Sequence, residues 1–434
     1  MFSKILIANR GEVAVRIIRS CKEMGISTVA VYSQADAEAL HVALADQSFC
    51  IGGNDAADSY LNQERILSAA LVSGAQAIHP GYGFLSENAE FAARCLQNGI
   101  AFIGPGVETM HRLSDKDRIK TLMADAGLPV IPGTEVLSSV REAKKAAAEI
   151  GYPVMLKARS GGGGRGIRLV TCEAEMEQNY TAAVAEGRAA FGDGAVYLEK
   201  YVHPAKHIEM QIIADEQGHV VCLGERDCSV QRKHQKLIEE SPSPVVTPAM
   251  RKTLMDQVTK AIQQVGYCGI GTLEFLLDQQ SGRAYFMEMN VRLQVEHPVT
   301  EMLTGIDLVK WQIRVAAGVP LGFTQEDVRF TGAAMECRVN ALRPGRVSFL
   351  HVPGGPNVRF DTFMVTGCQI SPYYDSMIGK LIVSASTREE ALRKMQAALC
   401  ELVIQDVDNN IEEQIDLITR KEFVAGTYDL DFVK

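Results

Sequence analysis

Short apolar runs separated by amphipathic stretches occupy the chain up to about residue 110. The runs KILIA, STVAVYS, AQAIH and AFIG read as strands, and EVAVRIIRSCKEM reads as a helix that ends at Gly25. This alternation predicts an open, mostly parallel α/β sheet with helices on both faces. Sheets of this class usually bind ligands beyond the strand ends, where the Gly-rich turn HPGYGFLSEN (79–88) lies. The first turn, NRGEV, lacks the G-x-G-x-x-G pattern of dinucleotide-binding proteins.

The chain becomes richer in strands after Ser114. A helix through Asp125 and a second helix closed by Gly151 come first. Strand-like segments then follow: PVMLKA, VYLEKY, HIEMQIIAD, HVVCLGERD, GTLEFLLD and RAYFMEMNVRL. Their density predicts an antiparallel or mixed sheet that is distinct from the first one. At roughly 150 residues per domain, we expect three domains, at 1–113, 114–330 and 331–434.

Composition narrows the classes of protein that this chain can represent. With 47% hydrophobic and 22% charged residues it is typical of soluble globular proteins. Its net charge of −9 argues against nucleic acid as the main partner. No apolar run approaches the roughly 18 residues of a membrane span, and the N-terminal run is too short for a signal peptide, so we expect a cytoplasmic protein. The ten cysteines form no Cys-x-x-Cys pair and are expected to be reduced core residues.

A glycine-rich loop follows the predicted strand PVMLKA. Lys157 lies near the end of that strand, and five of the six residues 161–166 are Gly. Consecutive glycines let backbone N–H groups turn toward phosphate oxygens. Because the Lys precedes the glycines and a strand, IRLVT, follows them, this is not a Walker loop. We expect a hairpin that covers phosphates; the alternative is a mobile surface hairpin.

Charged side chains alternate with apolar ones along residues 286–294. Strand geometry places on one face Phe286, Glu288, Asn290, Arg292 and Gln294. The other face would pack Met287, Met289, Val291 and Leu293. If residues 279–283 form a five-residue hairpin loop, Glu274 lies opposite Glu288, and the two carboxylates repel. A divalent cation removes that repulsion, so the pair predicts Mg²⁺ bridging phosphates; a solvated pair of exposed Glu side chains is the alternative.

Seven motifs together resemble the biotin carboxylases, members of the ATP-grasp superfamily, over essentially the whole chain. They are IANRGEVAVRI, HPGYGFLSEN, KARSGGGGRG, LEKYV, ERDCSVQRKHQK, EMNVRLQVEHPVTE and SPYYDSMIGKL. The resemblance implies a multidomain α/β and α+β fold: an N-terminal open parallel α/β domain, an ATP-grasp domain and a C-terminal biotin carboxylase domain. The ATP-grasp domain would carry a glycine-rich lid subdomain at about 131–203. The implied reaction is ATP-dependent carboxylation of biotin by bicarbonate through carboxyphosphate, which yields ADP and phosphate.

The resemblance also implies roles for individual residues. ATP would contact Lys116, Lys157, Gly162, Gly163, Gly164, Gly166, Glu199, Lys200, Val202, His207, Gln231, His234, Glu274, Leu276 and Glu288. The ligands of Mg²⁺ or Mn²⁺ would be Glu274, Glu288 and Asn290. Bicarbonate would contact Lys236, Arg292, Gln294 and the Val295 backbone, and biotin would contact Tyr82 and Arg338. Among the catalytic residues Glu296, Arg292, Arg338 and Lys236, Glu296 would be the general base and Arg338 would stabilise the biotin enolate.

The resemblance implies partners as well. No Lys stands between two Met residues, the usual context of attached biotin, so we expect a separate biotin carboxyl carrier protein, carboxyltransferase subunits and a homodimer. The expected setting is the first half-reaction of acetyl-CoA carboxylase, in fatty-acid synthesis. Three alternatives stay open: a subunit of a pyruvate- or propionyl-CoA-type carboxylase, another ATP-grasp ligase, and a non-catalytic ATP-binding regulatory subunit.

Overall fold

A five-stranded parallel sheet forms the N-terminal part of the protein, as expected. The computed structural model describes residues 1–114, 116–159 and 166–433. The first five strands, in the spatial order β3-β2-β1-β4-β5, are β1 (Lys4–Ile7), β2 (Ser27–Ser33), β3 (Gln47–Gly52), β4 (Ala77–His79) and β5 (Ala101–Phe102). All four pairings are parallel. The helices around this sheet are α1 (Gly11–Glu23), α2 (Leu40–Leu44), α3 (Gln63–Ser73), α4 (Ala89–Gln97) and α5 (Val107–Ser114).

The alternation of apolar residues in β1 explains why helices cover both faces. Ile5 and Ile7 pack with α1, whereas Leu6 packs on the other side with residues of α3 and α4. Both faces are therefore buried, as in other parallel sheets. The prediction of a doubly covered parallel sheet is confirmed, although β3 and helices α2 to α5 were not predicted.

A small antiparallel sheet lies on the glycine-rich part of the chain. The elements here are α6 (Lys116–Asp125), α7 (Val140–Ile150), β6 (Val154–Ala158), β7 (Ile167–Val170), α8 (Glu173–Phe191) and β8 (Val196–Lys200). The strand order is β7-β6-β8, and both pairings are antiparallel. The strands that flank the glycines thus pair as a hairpin, as predicted. The glycines 161–164 lie outside the described residues.

An eight-stranded antiparallel sheet dominates the rest of the protein. The remaining strands are β9 (Ala205–Ala214), β10 (Val220–Arg232), β11 (Gln235–Ser241), β12 (Gly269–Asp278), β13 (Ala284–Asn290), β14 (Ala333–Asn340), β15 (Gly345–Arg346), β16 (Leu350–His351), β17 (Val358–Thr362), β18 (Gln369–Ile370), β19 (Met377–Ala385) and β20 (Val403–Ile404). The large sheet has the order β13-β12-β9-β10-β11-β14-β19-β17, while β15 pairs with β18 and β16 with β20. Because β11 pairs with β14, this sheet crosses the expected boundary between residues 330 and 331.

The helices that accompany this sheet are α9 (Pro248–Val265), α10 (His297–Thr304), α11 (Leu308–Ala316), α12 (Arg388–Glu401), α13 (Ile411–Thr419) and α14 (Lys421–Ala425). Helix α9 packs on β9 and β10, and α10 packs on β10, β11 and β14. Helix α9 thereby covers the apolar face of the large sheet at β9 and β10.

The structure bears on the expectations about membrane spans and about the cysteines. Among the residues that the structure describes, no helix combines the length and apolarity of a membrane span. The cysteines are all unpaired, but the expectation that they lie in the core is wrong for Cys50, Cys172 and Cys400, which are exposed.

Candidate active site

Two acidic residues predicted to face each other do so across neighbouring strands. Residues 279–283 connect β12 to β13, and Glu274 is the direct partner of Glu288. Neighbouring carboxylates in this register repel unless a cation lies near them. The register therefore places the predicted acidic pair on one face of the sheet.

The predicted alternation along β13 is wrong at Phe286 and Met287. A β-bulge separates two pairings, since Glu274 pairs with Glu288 but Phe275 pairs with Phe286. One extra residue in a strand reverses the face of the residues before it. Phe286 therefore packs edge-on against Phe275 in the core, and Met287 does not take the core position expected for it.

Glu274 lies at the centre of a polar cluster. Its carboxylate oxygens lie 2.9 Å from His207 Nε2, 2.8 Å from Asn290 Nδ2 and 3.3 Å from Lys236 Nζ. Burial alone would raise the pKa of Glu274, but Lys236 and His207 lower it to about 2. The group is thus ionised at neutral pH. Carboxylates suit Mg²⁺ or Mn²⁺, so the pairing of Glu274 with Glu288 fits a divalent cation. Asn290 directs its Nδ2 at Glu274, while its Oδ1 accepts from Arg292 Nη2 at 3.2 Å.

Glu296 is fully buried immediately before α10. Lys236 Nζ donates to its Oε1 at 2.6 Å, and Arg338 Nη2 donates to its Oε2 at 2.9 Å. Burial alone would raise the pKa of Glu296, but Lys236, Arg338 and Arg226 hold it well below its ordinary value. Glu296 is therefore ionised, which is the form in which a carboxylate accepts a proton.

Sequence reasoning missed three charged residues, Glu209, Arg226 and Glu239, that lie around Lys236 and Arg338. Glu209 accepts from Lys236 Nζ at 2.7 Å and from Arg226 Nε at 2.5 Å. Glu239 accepts from Arg338 Nε at 2.6 Å. These contacts fix the two cations that hold the base.

Strand alternation in HIEMQII could have found part of this set. His207, Glu209 and Gln211 are polar at every second position, and Ile208 and Met210 between them lie in the core cluster with α9. Period-two alternation of this kind identifies one polar and one apolar face. Glu239 gives no such signal, because an acidic residue, Glu240, follows it.

Arg292 and Gln294 lie in the segment after β13 rather than on the strand. Arg292 Nε donates to Glu87 Oε2 at 3.1 Å, and its Nη1 donates to Gln294 Oε1 at 3.2 Å. The HPGYGFLSEN turn thereby meets the segment predicted to bind an anion. Gln294 is 5% exposed, and within the described part of the chain its Nε2 makes no hydrogen bond. That N–H is available to a bound anion.

Tyr82 contributes to a further group of buried contacts. Its hydroxyl donates to Glu12 on α1, which pairs with Lys380 on β19 at 3.1 Å. Lys380 Nζ donates in turn to the Val295 carbonyl at 2.7 Å. Burial and the neighbouring Glu12 hold the pKa of Tyr82 well above its ordinary value, so Tyr82 is a neutral hydrogen-bond donor.

The residues expected around adenine lie where the small sheet approaches the large one. Glu199 is 3% exposed and pairs with both Lys120 and Lys157. Burial would raise the pKa of Glu199, but these two lysines lower it. Val202 and Leu276 belong to one apolar cluster, which can contact the flat face of a base.

The remaining predicted residues are distributed around these groups. Gln231 Nε2 lies 3.5 Å from His207 Nδ1, Lys200 ends β8, and His234 lies in the turn between β10 and β11. Gly166 donates its N–H to Glu186 Oε1 at the start of β7. The structure begins α6 at Lys116 but does not describe its side chain, and Gly162, Gly163 and Gly164 lie outside the described residues.

Three family models match consecutive parts of the chain. The model described as "Biotin carboxylase, N-terminal domain" matches residues 1–110. "Carbamoyl-phosphate synthase L chain, ATP binding domain" matches residues 115–324. "Biotin carboxylase C-terminal domain" matches residues 335–434.

Individual proteins match the chain over its full length. It is 48% identical to Biotin carboxylase 1 of Bacillus subtilis, over 100% of this chain and 98% of that protein. It is 49% identical to the 2-oxoglutarate carboxylase small subunit of Hydrogenobacter thermophilus, over 100% and 93%. The solved dimer of the biotin carboxylase domain of the Hydrogenobacter enzyme, in complex with MgADP, ADP and bicarbonate, superposes with a TM-score of 0.92 at 48% identity, over 100% of this chain and 97% of that one.

Proposed function

Since the chain belongs to the biotin carboxylase family of ATP-grasp ligases, we propose that it carboxylates biotin on a separate carrier protein, with bicarbonate and ATP as co-substrates. The observation that carries this proposal is the buried arrangement in which Lys236 and Arg338 both donate to Glu296. The two cations keep Glu296 ionised, which is the form that can accept a proton from a bound anion.

Bicarbonate is a poor nucleophile and must lose its proton as it attacks the γ-phosphorus of ATP. It would bind between Arg292, Gln294 and Lys236, within reach of Glu296. An anion there shares the positive charge that lowers the pKa of Glu296, so binding makes Glu296 a better proton acceptor. The attack yields carboxyphosphate and ADP, and carboxyphosphate breaks down to CO₂ and phosphate.

The phosphate released in this breakdown takes the ureido proton of biotin. The resulting enolate oxygen needs a fixed cation, and Arg338 supplies one that does not lose its proton. The ureido nitrogen then attacks CO₂ to give carboxybiotin. Tyr82 would lie beside the biotin ring. The products are carboxybiotin, ADP and phosphate. The carbon and two oxygens of bicarbonate enter carboxybiotin, its third oxygen leaves in phosphate with the γ-phosphoryl group, and the proton taken by Glu296 is released to solvent.

Glu274, Glu288 and Asn290 would hold Mg²⁺ or Mn²⁺, which offsets negative charge on the ATP phosphates when it is bound. Lys116, Lys157 and the glycine hairpin would contact the phosphates, and Glu199 with the backbone up to Val202 would contact adenine. His207, Gln231, His234, Lys200 and Leu276 complete the proposed nucleotide site. Closure of the hairpin would exclude water from carboxyphosphate.

We place this activity in the cytoplasm, in a homodimer that works with a biotin carboxyl carrier protein and carboxyltransferase subunits. The solved Hydrogenobacter biotin carboxylase domain is a dimer, which supports the dimer. The setting that we propose is acetyl-CoA carboxylase. A 2-oxoglutarate carboxylase is the second candidate, because the small subunit of such an enzyme is 49% identical over the whole chain.

The test of the proposed reaction is ADP release by the purified chain with Mg·ATP. We expect release to require bicarbonate and to rise on addition of free biotin. Binding of ATP without bicarbonate-dependent turnover would show a non-catalytic subunit instead. Co-purification with carrier and carboxyltransferase subunits, followed by assays with acetyl-CoA and 2-oxoglutarate, identifies the final acceptor.

A further inference from the structure

A buried series of contacts connects the proposed biotin pocket to the proposed base. It runs from the Tyr82 hydroxyl to Glu12, then to Lys380, and ends at the Val295 carbonyl. We infer that Glu12 and Lys380 are positioning residues for the reaction, which hold Tyr82 and Glu296 in one rigid frame. This inference rests on the proposed function, because it assigns the two residues to that reaction.

The Val295 carbonyl is the atom through which Lys380 acts on the base. That oxygen belongs to the peptide group that also contains the nitrogen of Glu296. Because a peptide group is planar, a fixed oxygen fixes the direction in which the Glu296 backbone begins. The hydrogen bond from an ammonium is among the stronger ones in proteins, and at 2.7 Å it is short. Lys380 therefore orients Glu296 through the backbone.

Burial makes the ion pair between Lys380 and Glu12 rigid. The side chains of Lys380 and Glu12 are 0% and 2% exposed. A buried ion pair of this kind is held in place because separating it leaves two desolvated charges. Asp361, the cross-strand partner of Lys380, is engaged by Arg359 at 2.9 Å and 2.6 Å. Glu12 is thus the carboxylate that pairs with Lys380.

Glu12 connects the two halves of the frame. One of its oxygens, Oε1, meets both the Tyr82 hydroxyl and the Lys380 ammonium. Glu12 lies on α1 of the first sheet, Tyr82 in the turn after β4, and Lys380 on β19 of the large sheet. A shift of any one of these elements would change the distance between the biotin pocket and the base.

The first test replaces the ammonium in Lys380→Met. We expect kcat for biotin-dependent ADP release to fall by about 10²-fold, the loss typical of a misplaced reacting group. KM for ATP should stay within about twofold, because uniform binding of ATP is unaffected. The matched control is Lys206→Met, which removes an equally buried Lys206–Asp227 pair on the other face of β9 from His207. We expect that variant to be less stable but to retain its kcat.

The second test measures coupling along the series. In the wild-type chain, Tyr82→Phe should lower biotin-dependent kcat by about 10-fold. In a chain that already carries Glu12→Gln, adding Tyr82→Phe should lower kcat by less than about a further twofold, because the effects of residues that act as a unit are not additive. Glu12→Gln keeps the shape of the side chain, so it also serves if Lys380→Met fails to fold. A folded Lys380→Met with wild-type kcat, or losses that multiply in the double variant, would overturn the inference. A wild-type chain without bicarbonate-dependent turnover would instead overturn the proposed function.

Discussion

Buried charges of opposite sign alternate through the site, residue by residue. In order of contact they are Arg226, Glu209, Lys236, Glu296, Arg338 and Glu239. Each carboxylate inside this series has a cation on both sides, which offsets the cost of its burial. The arrangement keeps the base ionised and the two cations fixed before any substrate binds.

Removal of the first cation should reduce stability strongly. Arg226 is 0% exposed, and its Nη1 also donates to Gln211 and Thr300 at 2.8 Å. Arg226→Met leaves Glu209 with a single cation, and we expect the free energy of unfolding to fall by about 3–5 kcal/mol. Urea denaturation measures this loss. A change below about 1 kcal/mol would be that of a surface ion pair and would contradict the assigned role; Glu209→Gln in the same variant should recover part of the loss.

The pH dependence of turnover should report on Glu239. Burial raises its pKa to about 7, Arg338 opposes the rise, and Glu296 adds to it. Glu336, its cross-strand partner, and Lys236, on its own strand, face the same side of the sheet. Because the pKa is higher in the folded state, protonated Glu239 stabilises the fold at acidic pH, and this contribution is lost as pH rises through about 7.

Turnover should increase with pH over the range in which the stabilising contribution of protonated Glu239 is lost. Below its pKa of about 7 Glu239 is neutral and holds Arg338 less firmly, so kcat should decline on the acidic side. In Glu239→Gln we expect a lower kcat at alkaline pH and no titration near neutrality. A pH profile measured at fixed, saturating bicarbonate checks this; a neutral titration that persists in the variant would assign it to another group.

At the scale of elements, the hairpin β12–β13 shows what the sequence could and could not predict. Glu274 does pair with Glu288, but not through the loop length alone: next to the loop Leu277 pairs with Ala284, one residue off the register that a five-residue loop predicts, and the bulge between Phe275 and Glu274 restores it. The bulge that moves Phe286 into the core was not predictable, since it inserts a residue without a turn signal. Strand β11 was also missed, because HQKLIEES contains too few apolar residues to read as a strand.

The contacts of Glu12 show a second limit of sequence reasoning. Glu12 and Lys380 are more than 360 positions apart in the sequence. Periodicity places a residue on a face of its own element but does not say which distant element covers that face. The predicted base and its arginine were found through motifs, whereas the residues that support them follow only from the three-dimensional structure.

The small sheet should be the part of the molecule that responds to nucleotide. It has three strands, whereas β9 lies between two long strands of the large sheet. Short sheets with few buried contacts open more readily. We expect the amides of β6 and β7 to exchange with deuterium faster than those of β9, and to slow when a non-hydrolysable Mg·ATP analogue binds. Protection of β9 alone on addition of the analogue would contradict a lid role for the hairpin.

For the whole molecule, the eight-stranded sheet joins the region that would bind ATP to the region that would bind biotin. Glu274 and Glu288 lie on β12 and β13 at one edge, whereas Arg338 lies on β14 toward the other edge. The segment after β13 carries Glu296 back to Arg338, and α10 covers it. One continuous sheet therefore fixes the distance between phosphoryl transfer and biotin carboxylation, the two steps that the proposed reaction must connect.

The central claim is that metal, anion and base positions follow one another from Glu288 to Glu296. Paired measurements of ATP affinity and of bicarbonate-dependent turnover in Glu288→Gln and Glu296→Ala test it most directly. Glu288→Gln should weaken use of Mg·ATP. Glu296→Ala should leave ATP affinity within about threefold but lower turnover by at least about 10²-fold, the contribution of a general base. Equal loss of ATP affinity in both variants would contradict the assignment.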